Sequence, residues 1–185
     1  MDGIIPLYKE RGMTSFACVS RLRQILKTKK IGHSGTLDPG VAGVLPICVG
    51  NATKVVDYLM QSGKQYQGEL LIGFATTTQD LDGDKIEEKV VADEIPTSEI
   101  LAAMNSLTGT IIQIPPMYSA VKVNGKMLYE YARAGETVER PKRQVTISQF
   151  ELLSSKYDEK NKQQRIRFNV ECSKGTYIRT LVVDL

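Results

Sequence analysis

Apolar residues recur along the chain with two different periods, and each period predicts elements. In "MTSFACVSRLRQILKTKK" (residues 13–30), Phe16, Val19, Leu22 and Leu26 follow a possible cap at Thr14 or Ser15 at helical spacing, with Arg21, Arg23 and Lys27 on the polar side. "VLPICVG" (44–50) reads as a buried strand, and Thr53 to Met60 as a short helix. "KQYQGELLIG" (64–73) alternates, placing Tyr66, Gly68, Leu70 and Ile72 on one face of a strand. "PTSEILAAMNSLTG" (96–109) predicts a helix capped by Thr97 or Ser98 and terminated by Gly109. Asn124-Gly125 marks a hairpin turn, followed by a short helix from Met127 to Ala134. "QVTISQFEL" and "QRIRFNVECS" alternate again; in the second, Ile166, Phe168, Val170 and Cys172 oppose Arg165, Arg167, Asn169 and Glu171. "KGTYIRTLVVDL" closes the chain as a helix beginning.

Alternating strands with a few helices and no regular βαβ units argue for an α+β fold around a mostly antiparallel sheet. At 185 residues the chain fits one domain. The stretch from about Ile114 to Arg143, with Pro115, Pro116 and a basic tail, reads as an inserted excursion. "TTTQDLDGD" is expected to be loop, and the acidic cluster from Asp80 to Glu88 a solvated surface. The last helix reaches Leu185 with no cap, terminating glycine or closing strand, so the chain is expected to be cut inside a domain.

With 42% hydrophobic and 24% charged residues, the composition is that of a folded protein. The N-terminus has no signal-peptide pattern, and no window is long and apolar enough to span a bilayer. Cys18, Cys48 and Cys172 are far apart and form no CxxC pair, which predicts three reduced, mostly buried thiols in a cytoplasmic protein. His33 is the only histidine, too few for the common zinc sites, so no metal is expected. The net charge of +3 is unevenly spread: residues 61–113 are acidic, while residues 21–30 and those from Ile114 onwards are basic. Concentrated basic surface suggests a polyanion partner; two balancing solvated faces are the alternative.

The chemically suggestive segment is "GHSGTLDPGVAG" (32–43). Its glycines allow unusual backbone angles, Pro39 stiffens the turn, and the small residues leave room around Asp38. An Asp-Pro pair is also a routine turn, and that reading stands beside the functional one. No Ser/His/Asp set, GxxxxGK[ST] loop or EF-hand pattern occurs, leaving a lone aspartate as nucleophile or electrostatic centre. Such an acid needs a cation to keep it ionised, and Arg179 in "GTYIR" is a candidate.

"GHSGTLDPGVAGVLPICVGNATK", "PPMYSAVKVNGKMLYEYAR" and "CSKGTYIRTL", in this order and spacing, resemble the TruB family, the tRNA pseudouridine synthases that act on uridine 55 of the T-loop. The likeness runs from about Ile4 to Leu185. It implies the pseudouridine-synthase catalytic fold, a mostly antiparallel mixed sheet flanked by helices and loops. It further implies a cofactor-free isomerase, a monomer in the cytoplasm, whose partner is the T-loop and T-stem of tRNA. Residue by residue, it makes Asp38 the catalytic aspartate and Arg179 its charge partner. Tyr66 becomes the tyrosine stacking on the target base, His33 a contact ordering the flipped base, and Tyr177 a further substrate contact. The basic excursion becomes a thumb-like insertion. Lys9, Arg21, Lys29, Lys30, Lys122, Lys126, Arg133 and Arg143 are then expected to hold RNA phosphates. Two departures stand out. "KERGMTS" has Glu10 where the family usually has proline. The end of the family's catalytic domain, with a leucine lining the uracil pocket, and its C-terminal RNA-binding PUA domain lie beyond residue 185. Two rivals remain at this level: a non-catalytic RNA-binding or RNA-chaperone protein with Asp38 serving only the turn, and a two-carboxylate glycosidase or nucleoside hydrolase.

Overall fold

A computed structural model describes residues 1–185, which divide into two compact units, Met1–Ser62 and Gly63–Leu185. The first unit runs β1 (Gly3–Lys9), α1 (Ser15–Ile25), β2 (Ile31–His33) and β3 (Gly43–Val49). A 3-10 turn, Gly50–Val55, then leads into α2 (Val56–Gln61). The three strands form an antiparallel sheet in the order β1-β3-β2. Ile5 lies opposite Ile47 and Leu7 opposite Leu45, so one face is a continuous apolar strip. Cys18 and Val19 of α1 pack with Ile31, Leu45, Ile47 and Val49 to form this unit's core.

Thr14 caps α1, its hydroxyl accepting from the Ala17 amide at 3.0 Å. Two expectations for this helix are corrected. Phe16 is not in the packing stripe: it is 64% exposed, with the Arg23 guanidinium over its ring at 6.0 Å. Cys18, not Phe16, occupies the inward position beside Val19. The helix also ends at Ile25, because Lys27 turns into the left-handed region (φ 50°) so that Ile31 can enter the sheet. Lys29 and Lys30 therefore lie beyond the helix.

The second unit contains β4 (Lys64–Ile72), β5 (Phe74–Thr76), β6 (Lys85–Glu88), α3 (Thr97–Ser106), β7 (Gly109–Gln113), β8 (Lys122–Val123), β9 (Lys126–Met127), α4 (Leu128–Ala134), β10 (Arg143–Asp158), β11 (Gln163–Cys172) and α5 (Ile178–Asp184). Its main sheet is antiparallel, in the order β4-β11-β10-β7, with β5-β6 and β8-β9 as separate pairs. The alternation read from the sequence sets its faces: Leu70, Ile166, Phe168, Val170 and Cys172 are buried with Ile100, Met104 and Leu181 from the helices. Phe150 meets Phe168 edge to face, ring centroids 5.5 Å apart. Gly68 sits directly beneath that ring, where a Cβ would come within 2.4 Å of it. The mixed α+β class and mostly antiparallel sheet expected from the sequence are what the chain forms.

Other local expectations change in detail. α3 begins after Pro96 with no side-chain cap, Thr97 being its first residue. It ends at Ser106, and Gly109, at φ 98°, instead opens β7. The Asn124-Gly125 turn forms as read, both residues at positive φ (49° and 88°), which suits the twist of a two-residue hairpin. The excursion leaves and returns at one rung of the ladder, since Gln113 pairs with Arg143. The Arg140 guanidinium, donating to the Pro115 carbonyl at 3.0 Å, closes its root.

Gln164 is fully buried and uses its amide like a piece of strand. It accepts from the Ile95 N–H at 2.7 Å and donates to the Ile95 carbonyl at 2.9 Å and to Ser155 at 2.8 Å. Replacing Gln164 with alanine strips partners from both Ile95 groups, an expected loss of about 3 kcal/mol. Gly68→Ala forces the Phe168 ring aside at a cost of about 1–3 kcal/mol. Urea denaturation checks both, the midpoint falling at unchanged slope.

Candidate active site

Asp38 lies in the turn between β2 and β3, and the residues on either side of it are held by side chains and amides from elsewhere in the first unit. The Ser15 hydroxyl, 3% exposed, accepts from the Leu37 N–H at 3.0 Å and donates to the Leu37 carbonyl at 3.2 Å. On the other side, the Pro39 carbonyl accepts from the Gly12 amide at 2.8 Å and from the Lys9 ammonium at 3.4 Å. The Asp38 carbonyl itself closes the turn by accepting from the Val41 amide at 3.0 Å. Asp38 is thus an exposed residue on a loop whose backbone is fixed on both flanks. Such a loop presents a carboxylate in one place instead of sweeping it through solvent.

Lys9 corrects the sequence reading. Expected to hold a phosphate, it is only 1% exposed, and its ammonium donates to the carbonyls of Glu10, Met13 and Pro39. A lysine enclosed in this way is a structural cation tying the 10–13 turn to the Asp38 loop. Its amino-acid type could not separate this role from a surface one; only the tertiary enclosure does. His33 ends β2 half-buried, and its Nδ1 is enclosed without a hydrogen-bond partner.

The second unit holds the other candidates. Tyr66 stands on β4 opposite Val170 and packs, partly buried, against the core. Tyr177 is the N-cap of α5, and Arg179 lies in the first turn after it. The Tyr177 N–H donates to Gln113 Oε1 at 2.9 Å, and the Tyr177 carbonyl accepts from Gln113 Nε2 at 3.3 Å. The Arg179 guanidinium donates to the Thr78 carbonyl at 2.8 Å and the Tyr118 carbonyl at 3.0 Å. It lies 3.7 Å from the Asp80 carboxylate.

Asp80 therefore does not belong to a merely solvated acidic surface, as its sequence context suggested. Its carboxylate accepts from the Thr78 hydroxyl and the Asp82 amide while facing Arg179, and its carbonyl accepts from Thr76. Lys85–Glu88 form β6 beside β5, the Lys85 ammonium 4.6 Å from the Phe74 ring centroid. Neither Asp80 nor Gln113 was legible as a site residue. Their partners lie 99 and 64 positions away along the chain, and no local pattern links them.

The remaining basic candidates, Arg21, Lys29, Lys30, Lys122, Lys126, Arg133 and Arg143, are all exposed. Lys30 donates to Asn51 at 2.8 Å, Lys126 pairs with Glu136 at 3.4 Å, and Arg133 lies over the Tyr129 ring at 5.2 Å. All three cysteines are buried and free. Burial pushes the Cys48 and Cys172 thiols up, which makes poor nucleophiles of them. No helix is long and apolar enough to cross a membrane. A cavity of about 380 Å³ beside β5, lined by Ile72, Phe74, Val91 and Ile95 among others, touches none of the candidate residues.

Comparison with known proteins places this geometry in context. The model of the TruB family pseudouridylate synthase (N terminal domain) matches residues 23–178. The tRNA pseudouridine synthase B of Limosilactobacillus reuteri (strain DSM 20016) is 98% identical over 185 residues, all of this chain and 62% of that protein. The protein of the same name from Levilactobacillus brevis is 62% identical over 186 residues, covering 61% of its length. The chain thus spans about three-fifths of the curated relatives it matches. Among solved structures, a Cbf5-Nop10-Gar1 complex contains a chain matching 97% of this one at 31% identity and TM-score 0.68, over 42% of its own length. An H/ACA RNP bound to a substrate RNA containing 2'-deoxyuridine gives 27% identity and TM-score 0.63, with 97% and 40% covered.

The enclosure of Lys9 yields a stability prediction. Lys9→Met leaves three carbonyls without their charged donor and lowers unfolding stability by about 2 kcal/mol, read as a reduced urea midpoint. An unchanged midpoint would mean that these hydrogen bonds carry no net energy.

Proposed function

Because the chain belongs to the TruB family of pseudouridylate synthases, we propose that it forms the larger part of an enzyme converting uridine 55 in the T-loop of tRNA to pseudouridine, without a cofactor. The observation that carries this reading is the Asp38 loop, an exposed carboxylate whose neighbours Leu37 and Pro39 are both gripped by the surrounding fold. The reaction breaks the C1′–N1 bond, turns the uracil and joins its C5 to C1′. The C5 proton leaves and N1 regains one, so the product is an isomer and no oxidant or group donor is consumed.

In this reading Asp38 assists glycosidic cleavage in its ionised form, by attacking the sugar or base or by accepting a sugar proton. Arg179 is assigned as its charge partner. Its orientation is supported by the Thr78 and Tyr118 carbonyls and by Asp80. The target base must leave its stack, at a cost of a few kcal/mol. Tyr66 offers a stacking platform worth roughly 1–3 kcal/mol, and its phenol can take the C5 proton directly or through a water. His33 and Tyr177 contact the flipped nucleotide. Residues 1–185 are assigned to a catalytic domain incomplete at its C-terminal end, with the excursion at about 114–143 as a thumb against the RNA. The whole acts as a monomer in the cytoplasm.

Charge distribution supports a polyanionic substrate. The first 62 residues hold eight Lys and Arg against four Asp and Glu, and from Ser15 to Lys30 there are five basic residues and no acidic one. Arg21, Lys29, Lys30, Lys122, Lys126, Arg133 and Arg143 are assigned to phosphates; Lys9 is withdrawn from that set by its burial.

Tritium release from a T-loop hairpin carrying [5-³H]uridine tests the proposal. Release is expected from the unsubstituted protein and falls to background in Asp38→Asn, while hairpin affinity stays within a few-fold. Equal release from both would remove Asp38 from the chemistry, and binding without turnover in either would favour a non-catalytic RNA-binding protein. Replacing Lys29 and Lys30 with alanine is expected to flatten the slope of log K against log salt by roughly 0.7–0.9 for each phosphate no longer neutralised.

A further inference from the structure

We propose that Gln113 is a positioning residue for the reaction, setting the placement of Arg179 through the main chain of Tyr177; this rests on the function proposed above. Gln113 is the last residue of β7, 1% exposed, on the rung it shares with Arg143 at the root of the excursion. Its amide meets both main-chain groups of Tyr177, accepting at 2.9 Å and donating at 3.3 Å. Gln113 is buried, so its side chain acts as a one-residue strand pairing: it is the partner of the Tyr177 N–H and a second donor to the Tyr177 carbonyl, which also accepts from the Leu181 N–H at 3.0 Å.

The grip falls at the end of a connection outside the regular elements. Between the end of β11 at Cys172 and the start of α5 at Ile178, the chain passes through Gly175 at positive φ (80°). Ser173, at the near end of this connection, is anchored to Thr146, and the Thr176 hydroxyl reaches back only to the Ser173 carbonyl. α5 has seven residues, and the side chain of its N-cap, Tyr177, makes no capping hydrogen bond to the first turn. A helix this short does not fix its own direction, and Arg179 sits in its first turn. The guanidinium meets main-chain carbonyls at 2.8 and 3.0 Å, and a shift of about 1 Å at the start of α5 stretches both beyond hydrogen-bonding range. One of those carbonyls belongs to Tyr118, inside the excursion. The start of α5 is therefore joined both to the strand end at the root of the excursion, by Gln113 to Tyr177, and to the excursion itself, by Tyr118 to Arg179.

The test uses the protein at the length of its curated relatives, with two substitutions. Gln113→Ala is expected to lower kcat for pseudouridine formation about 10²-fold, the scale of a 1 Å misplacement. Its Kd for the hairpin is expected to stay within twofold, because Gln113 itself is buried away from solvent. Gln113→Glu supplies a signature that a purely structural role would not. Its carboxylate can accept from the Tyr177 N–H but cannot donate to the carbonyl, whereas its protonated form does both. The ratio of Gln113→Glu to unsubstituted kcat is therefore expected to rise as pH is lowered from about 8 to about 6, since burial pushes the introduced acid's pKa up toward that window. If Gln113→Ala fails to fold, this ratio decides alone. A flat ratio, an alanine variant that turns over normally, or loss of fold in both variants would overturn the positioning role while leaving the activity intact. Absence of turnover in the unsubstituted protein would instead overturn the activity, and this role with it.

Discussion

The chemistry-bearing segments of this protein depend on one constraint: main-chain N–H and C=O groups outside helices and sheets still need partners when they are buried. The fold answers it three times with the same device, a buried polar side chain that grips both main-chain groups of a single distant residue. Ser15 holds Leu37, Gln113 holds Tyr177, and Gln164 holds Ile95. Each holder sits in or next to a regular element, and each held residue lies in a connection or at a helix start. Rigidity is thereby transferred from helices and strands to loops that lack ladder hydrogen bonds of their own.

The same need for backbone partners shapes the charged groups. Lys9 and Arg179 are both directed by main-chain carbonyls, oxygens that carry partial negative charge and do not move with side-chain rotamers. Lys9 uses its charge inside the first unit, joining the 10–13 turn to Pro39. Arg179 is less enclosed and also faces Asp80, so its guanidinium is oriented while keeping part of its surface available. Two cations that look alike in the sequence are thus a structural tie and a candidate reactive-site group.

Much of the fold was legible because burial imposes periodicity. The alternation in residues 64–73 and 163–172 could belong only to strands with one covered face, and Asn124-Gly125 could hardly be anything but a tight hairpin. The glycine-rich turn around Asp38 and the arginine opening the last helix were visible for a related reason, since their local chemistry is unusual. Helix ends were less legible. The Phe16 position fits the helical period of the core residues, yet the face it occupies is left uncovered, which no periodicity reveals.

What the sequence by itself determined was the class of fold, the sheet faces and the residue types available for chemistry, because these follow from local spacing and side-chain character. What only the tertiary structure decided was which polar groups share a partner. It buried Lys9, drew Asp80 out of an acidic surface loop to meet Arg179, and set Gln113 against Tyr177 across 64 residues. The physical reason is that a hydrogen bond or ion pair is specified by distance and desolvation, and both are fixed only when the chain has closed around the pair.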